Sequence, residues 1–132
     1  GNVGTLEHAV LIALKRYQGP VAVMSFDPES IETIRHISPH LTRGIVAEAF
    51  LDAEARTLLS PMQRFFLRHM LHIRTTKPHF VAYNIDHQHY PAPRIAKSLF
   101  NYPLLAWTVR TGDDLARAKQ FGAIPIFEDL RP

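Results

Sequence analysis

Cysteine is absent from the 132 residues, which excludes disulfides and thiolate chemistry and suggests a reducing compartment. No apolar run approaches ~18 residues, so no membrane partner is expected. Residues 1–20 lack the layout of a signal peptide, and the chain is expected in the cytoplasm. Internal repeats, low-complexity tracts and linkers are missing as well. Net charge is only +3, and nucleic-acid binding would need basic residues clustered on one face, so no such partner is expected. What is present is ordinary for a globular chain: 46% hydrophobic and 20% charged residues. A chain of this length buries roughly two-thirds of its unfolded surface, enough for one domain over 1–132.

Along the chain, helical and strand patterns alternate. Residues 5–18 predict an amphipathic helix with Leu6, Val10, Ala13, Leu14 and Tyr17 on one stripe, stopped by Gly19-Pro20. The apolar run 21–26 predicts a strand, and Asp27 with Pro28 opens a helix buried through Ile31, Ile34 and Ile37. A second strand spans 43–50. Ser60-Pro61-Met62-Gln63 has capping-box spacing and opens a helix carrying Met62, Phe65, Phe66, Met70 and Ile73 inward. A third strand follows at 79–84, and a short helix over 91–100 is expected to bury Ile95, Ala96, Leu99 and Phe100. The fourth strand is 104–109. Thr111 caps the next helix with Asp114 three residues on, Gly122 closes it, and 123–128 is a fifth strand.

Five apolar strands, each preceded by a helix, predict an α/β fold with a parallel sheet covered by helices. Right-handed crossovers leave two forms, an open doubly wound sheet or part of a (β/α) barrel. Both place function at the carboxyl ends of the strands. Those ends are Ser25-Phe26, Glu48 to Phe50, Asn84 to Asp86, Trp107 to Arg110 and Phe127 to Asp129.

Two of these ends carry a resemblance. "VAVMSFDPESIETIRHISP" and "LLAWTVRTGDDLARAKQFGAIPIFED" are similar to two blocks of the glycerophosphodiester phosphodiesterase family, a strand ending Ser-Phe and a penultimate strand ending Trp-Thr-Val. The resemblance spans residues ~5 to 129 and implies strands four to eight of a (β/α)8 TIM barrel, its C-terminal part. It implies Ser25, Phe26, Glu48 and Trp107 as substrate-binding residues for a small-molecule phosphodiester. In the family that substrate is cut to glycerol 3-phosphate and an alcohol by a bound divalent metal (magnesium or calcium) and a histidine pair. Two positions depart from the family pattern: Arg110 stands where asparagine is frequent, and Glu128-Asp129 where the last strand often ends in Thr-Asp. The family's His-Arg-Gly and Glu-x-Asp motifs do not occur here. No catalytic residue and no metal is therefore expected on this chain alone, which should be inactive. The competing reading is a non-catalytic open α/β module that binds a small anion or a protein partner.

Trp107 has two readings, core filler or an apolar plate at a barrel mouth. The second requires a partly exposed indole, with Ala106 and Thr108 turned to the opposite face. Asp86, His87 and His89 are metal-ligating residue types, yet they fall on an extended segment beside a proline-rich turn and are expected to be a solvated loop. Arg64, Arg68, His69, His72, Arg74 and Lys77 are expected on the wet face of an outer helix, and Asp52 with Arg56 as a surface pair. A sheet cut from a closed barrel leaves two edges, here 21–26 and 123–128. A homodimer through these edge strands, or through the helix of residues 5–18, is expected.

Overall fold

A computed structural model describes residues 4–47, 61, 72–89, 91–98 and 100–128. The expected strand end at Glu48, most of the helix opening at Pro61, the pair Asp52 and Arg56, and Arg64, Arg68 and His69 lie outside the described residues. The elements are α1 (Thr5–Leu14), β1 (Ala22–Ser25), α2 (Pro28–Ile37), β2 (Thr42–Ala47), α3 (Ile73–Thr76), β3 (Phe80–Asn84), a 3-10 turn (Ile85–His87), α4 (Pro91–Ser98), β4 (Leu104–Val109), α5 (Gly112–Gln120) and β5 (Ile124–Phe127). All neighbouring strands are parallel and the sheet order is β1-β2-β3-β4-β5. A doubly wound sheet reverses its strand order at a switch point. This sheet never reverses; it curls into a half-barrel with helices, matching part of a (β/α)8 barrel.

Local chemistry sets the helix ends where the sequence placed them. The Asp27 carboxylate accepts from the Glu29 N–H at 2.9 Å, and Pro28 takes the first helical position, where no N–H is needed. Thr111 and Asp114 form a reciprocal capping box on α5, and Gly122 leaves it at φ 62°.

Strand register separates two faces. Ser25, Ile45, Val81 and Leu104 form one row, and Ala47, Tyr83, Ala106 and Pro125 the next. Ile45, Val81, Tyr83 and Ala106 are completely buried and join Leu11, Ile31, Ile34, Ile73, Ala96 and Ala118 of the helices in one core. The opposite, concave face carries Met24, Gly44 and Phe80 in one row and Val46, Ala82, Leu105 and Ile124 in the next. Ala82 and Val46, in the middle, are buried, whereas Met24 and Ile124 on the two edge strands are 50% and 60% exposed.

Three helices depart from the expected burial: on α2, Ile31 and Ile34 are buried but Ile37, at its C-terminal end, is exposed. On α1 the buried residues are Glu7 and Leu11, while Leu6 is 68% exposed and Ala13 and Tyr17 are also exposed. The Glu7 carboxylate explains the rotation. It accepts from the Gly4 N–H at 2.6 Å and the Ser30 hydroxyl at 2.5 Å, so it docks α1 on α2 without an unsatisfied charge. The Ser30 hydroxyl, then the Gly4 N–H, lower its pKa below the ordinary 4.5. On α4, Ala96 is buried but Ile95 is exposed, and Leu99 lies outside the described residues. Phe100, past the helix end, is exposed beside the Tyr102 ring at 6.4 Å.

Gly44 is the one strand glycine whose hydrogen side chain is required by its surroundings. A Cβ there would overlap the Phe80 ring, which lies across β2 on the concave face. Replacing a strand glycine by alanine normally gains roughly 0.5–1 kcal/mol, but crowding a packed ring costs about 1–3 kcal/mol. Gly44→Ala is therefore expected to destabilise, and Gly44→Ala with Phe80→Ala to lose less than the sum of the two single variants. Urea denaturation of the four proteins checks this. Additive losses would remove the ring from Gly44.

Candidate functional site at the carboxyl ends of the strands

Phe26 directly follows β1 and Trp107 lies on β4, yet their ring centroids are 5.3 Å apart at 90°. Two strands separate β1 from β4. In a flat sheet three spacings of about 4.8 Å would hold the strand axes roughly 14 Å apart. The rings meet because the sheet curls and both point into its concave side. They meet edge to face, a favourable geometry for aromatic pairs. Phe26 is 47% exposed and Trp107 half-buried. Trp107 is outside the core cluster, while Ala106, its neighbour, is inside it. The indole is thus a wall of the concave side, and its Nε1–H is buried with no partner among the described residues.

Thr108 departs from the expected alternation. The β4–β5 register shifts between Ala106 and Val109, and Val109 rather than Thr108 is the next core residue. Trp107 and Thr108 therefore stand together between two core-facing positions.

Ser25 shares the strand end with Phe26 but not its face. It pairs in register with Ile45, on the helix side. Its hydroxyl accepts from the Asp27 N–H at 3.0 Å. There it lines, with Leu6, Glu7, Val23 and Ser30, a cavity of 290 Å³ between α1, β1 and α2. The structure brings Phe26 and Trp107 together and leaves Ser25 behind the sheet.

The rim around the aromatic pair is held by charge. Asn84, in register with Trp107, accepts from the Asp86 N–H at 2.9 Å. Asp86 pairs with Arg117 of α5 at 3.1 Å, and Arg117 also holds Asp114 at 2.5 Å. Arg117 first, then the Arg110 N–H, pulls the Asp114 pKa from 3.8 to about 2. Arg110, beyond β4, pairs with Glu128, beyond β5. These contacts tie three strand ends to α5. Asp86, His87 and His89 build no metal site: the described residues contain no group of three His, Cys, Asp or Glu side chains able to hold an ion.

Two further residues escaped the sequence reading. The Arg43 guanidinium, at the start of β2, is buried and donates to the carbonyls of Pro39 at 3.1 Å, Thr76 at 3.3 Å and Lys77 at 2.9 Å. Burial lowers its pKa. Its position at the opposite end of the sheet marks it as part of the scaffold. His72, expected on a wet face, is half-buried instead, and both ring nitrogens are buried with no partner among the described residues. No residue pattern marks Arg43, because its Thr76 and Lys77 carbonyl partners come from a distant segment.

Among the described residues no helix is long and apolar enough to cross a membrane. No family model and no curated protein matches the chain in sequence. Solved structures do match. An Oleispira antarctica phosphodiesterase, in complex with the product sn-glycerol-3-phosphate, superimposes at a TM-score of 0.65 and 14% identity, over 92% of this chain and 44% of that one. A Silicibacter pomeroyi protein assigned as a glycerophosphoryl diester phosphodiesterase matches at 0.64 and 17%, over 92% of this chain and 39% of that one. The chain spans less than half the length of either. Curled parallel sheet, sequential strand order and these two matches agree: the chain has the fold of a partial (β/α)8 barrel similar to glycerophosphodiester phosphodiesterases.

Proposed function

We propose that this chain is the C-terminal part of a glycerophosphodiester phosphodiesterase-like barrel, a wall of the substrate pocket that binds but does not cleave. The observation that carries the reading is the Phe26–Trp107 pair, turned into the concave side at the strand ends where such barrels place their sites. The two rings offer an apolar surface for the glycerol or alcohol moiety of a small phosphodiester and exclude water from it. Glu48, at the end of the neighbouring strand in sequence, belongs to the same proposal. Ser25 serves it indirectly, by fixing the turn that aims Phe26.

Cleavage needs a group to take and return protons and a Lewis acid or its equivalent at the phosphoryl oxygens. The chain has neither the His-Arg-Gly nor the Glu-x-Asp motif. Incubated with a glycerophosphodiester and magnesium, calcium or manganese, the pure chain is expected to release no glycerol 3-phosphate. Steady release above a blank preparation, measured by a coupled dehydrogenase assay, would refute this. In a longer protein that supplies the missing β/α units, the same wall would serve a phosphoric diester hydrolase of lipid and glycerol metabolism.

A further inference from the structure

Val109 and Phe127 are register partners that face the helix layer, Val109 fully buried and Phe127 packed on the core. Pairing continues one step, with the Glu128 N–H donating to the Val109 carbonyl at 3.1 Å. Alternation then turns Arg110 and Glu128 to the concave side, at the rim just beyond Trp107. The Arg110 backbone is fixed, since its N–H donates to Asp114 at 3.1 Å. Asp114 is itself engaged by Arg117, which leaves Glu128 as the ion-pair partner of Arg110. Both side chains are accessible, being 60% and 51% exposed. An exposed pair of this kind adds little to folding stability. Its charges can be turned to a ligand at small cost.

We propose that Arg110 and Glu128 read the charge of the substrate's alcohol moiety and select a zwitterionic alcohol, one bearing both an ammonium and a carboxylate. This inference rests on the phosphodiester reading above. A side-by-side cation and anion have almost no net charge but a local dipole. A ligand group of single sign is attracted by one partner and repelled by the other. A zwitterion laid antiparallel to the pair meets two attractions and no repulsion, with the carboxylate on Arg110 and the ammonium on Glu128. Trp107, three residues before Arg110 at the same strand end, is the apolar plate offered to the connecting carbons. Selectivity thus comes from the second charge as much as from the first.

Trp107 is the single tryptophan of the chain, so its fluorescence reports on this rim without labelling. The chain is titrated with glycerophosphoserine, whose alcohol is zwitterionic, glycerophosphoethanolamine, whose alcohol is cationic, and glycerophosphoglycerol, whose alcohol is neutral. Glycerophosphoserine is expected to bind about fivefold tighter than either of the others, the scale of two exposed charge contacts. Arg110→Gln, which leaves only the ammonium contact, should erase the preference over glycerophosphoethanolamine, and Arg110→Gln with Glu128→Gln should erase it over both ligands while leaving glycerophosphoglycerol binding within about twofold. Equal affinities for the three ligands on the unaltered chain, or a preference that survives both substitutions, would overturn the role of the pair and leave the phosphodiester reading standing. No response of Trp107 to any of the three, with no heat of binding by calorimetry, would overturn the phosphodiester reading and this inference with it.

Discussion

At micromolar concentration the pure chain is expected to sediment as a two-fold dimer of about 30 kDa, twice the 15.0 kDa of one chain. Among the described residues the sheet ends at β1 and β5, each with an unpaired row of backbone donors and acceptors. The concave face is covered in its middle and open at those edges, at Met24 and Ile124. The two edges are not equivalent. β5 contains Pro125, which lacks an N–H and blunts its strand, whereas β1 (Ala22–Ser25) has no proline. Around β1 lie the exposed Leu6, Met24 and Phe26. Antiparallel pairing of two β1 strands across a two-fold axis would satisfy the edge and cover Leu6 and Met24, leaving Phe26 on the concave side. Met24→Lys, a charge on the edge strand, should shift the equilibrium to the 15.0 kDa species. Sedimentation of the unaltered chain as a 15.0 kDa species at micromolar concentration would overturn the dimer.

Acid should weaken the fold well above the carboxylate range, through His72. Burial holds its pKa at about 4 against the ordinary 6.5, because the charged ring would lose its hydration and finds no partner among the described residues. Between pH 6.5 and 4 the unfolded chain takes up a proton that the folded one refuses. Stability therefore falls as pH drops through that window, and this group's effect levels off below it. The loss is of order 3 kcal/mol. Glu7 and Asp114 act in the same direction but lower down. Their folded pKa values are depressed, so their contributions are present above about 4.5 and 3.8 and disappear as pH falls further. The interval from 6.5 to 4.5 is thus free of both. His72→Phe, similar in shape and with no ring nitrogen to desolvate, should flatten that interval and match or exceed the parent stability at neutral pH. Denaturant titrations at four or five pH values decide it, and an unchanged slope in the variant would assign the acid sensitivity elsewhere.

The sequence by itself determined what depends on neighbours along the chain. Asp27-Pro28 and Thr111 with Asp114 specify helix starts because the capping oxygen and the N–H it accepts from are two or three residues apart. The run Leu104–Val109 is a strand because apolar residues fill both of its faces. The resemblance in "VAVMSF" and "LLAWTV" likewise needed only local residues. Tertiary structure decided the rest, where the partner is remote and its direction is not encoded locally. Alternation separates Ser25 from Phe26 in any strand, but only the curl of the sheet shows that Phe26 is the one facing Trp107. A carboxylate at position 7 looks solvent-facing until Ser30 supplies its donor, which turns α1. Arg43 is buried with no ion-pair partner among the described residues, because carbonyls from two separate segments converge on it, and Gly44 is fixed by a ring on the next strand. Each of these rests on a group desolvated by distant chain, and desolvation is set by the folded surroundings rather than by the residues adjacent in sequence.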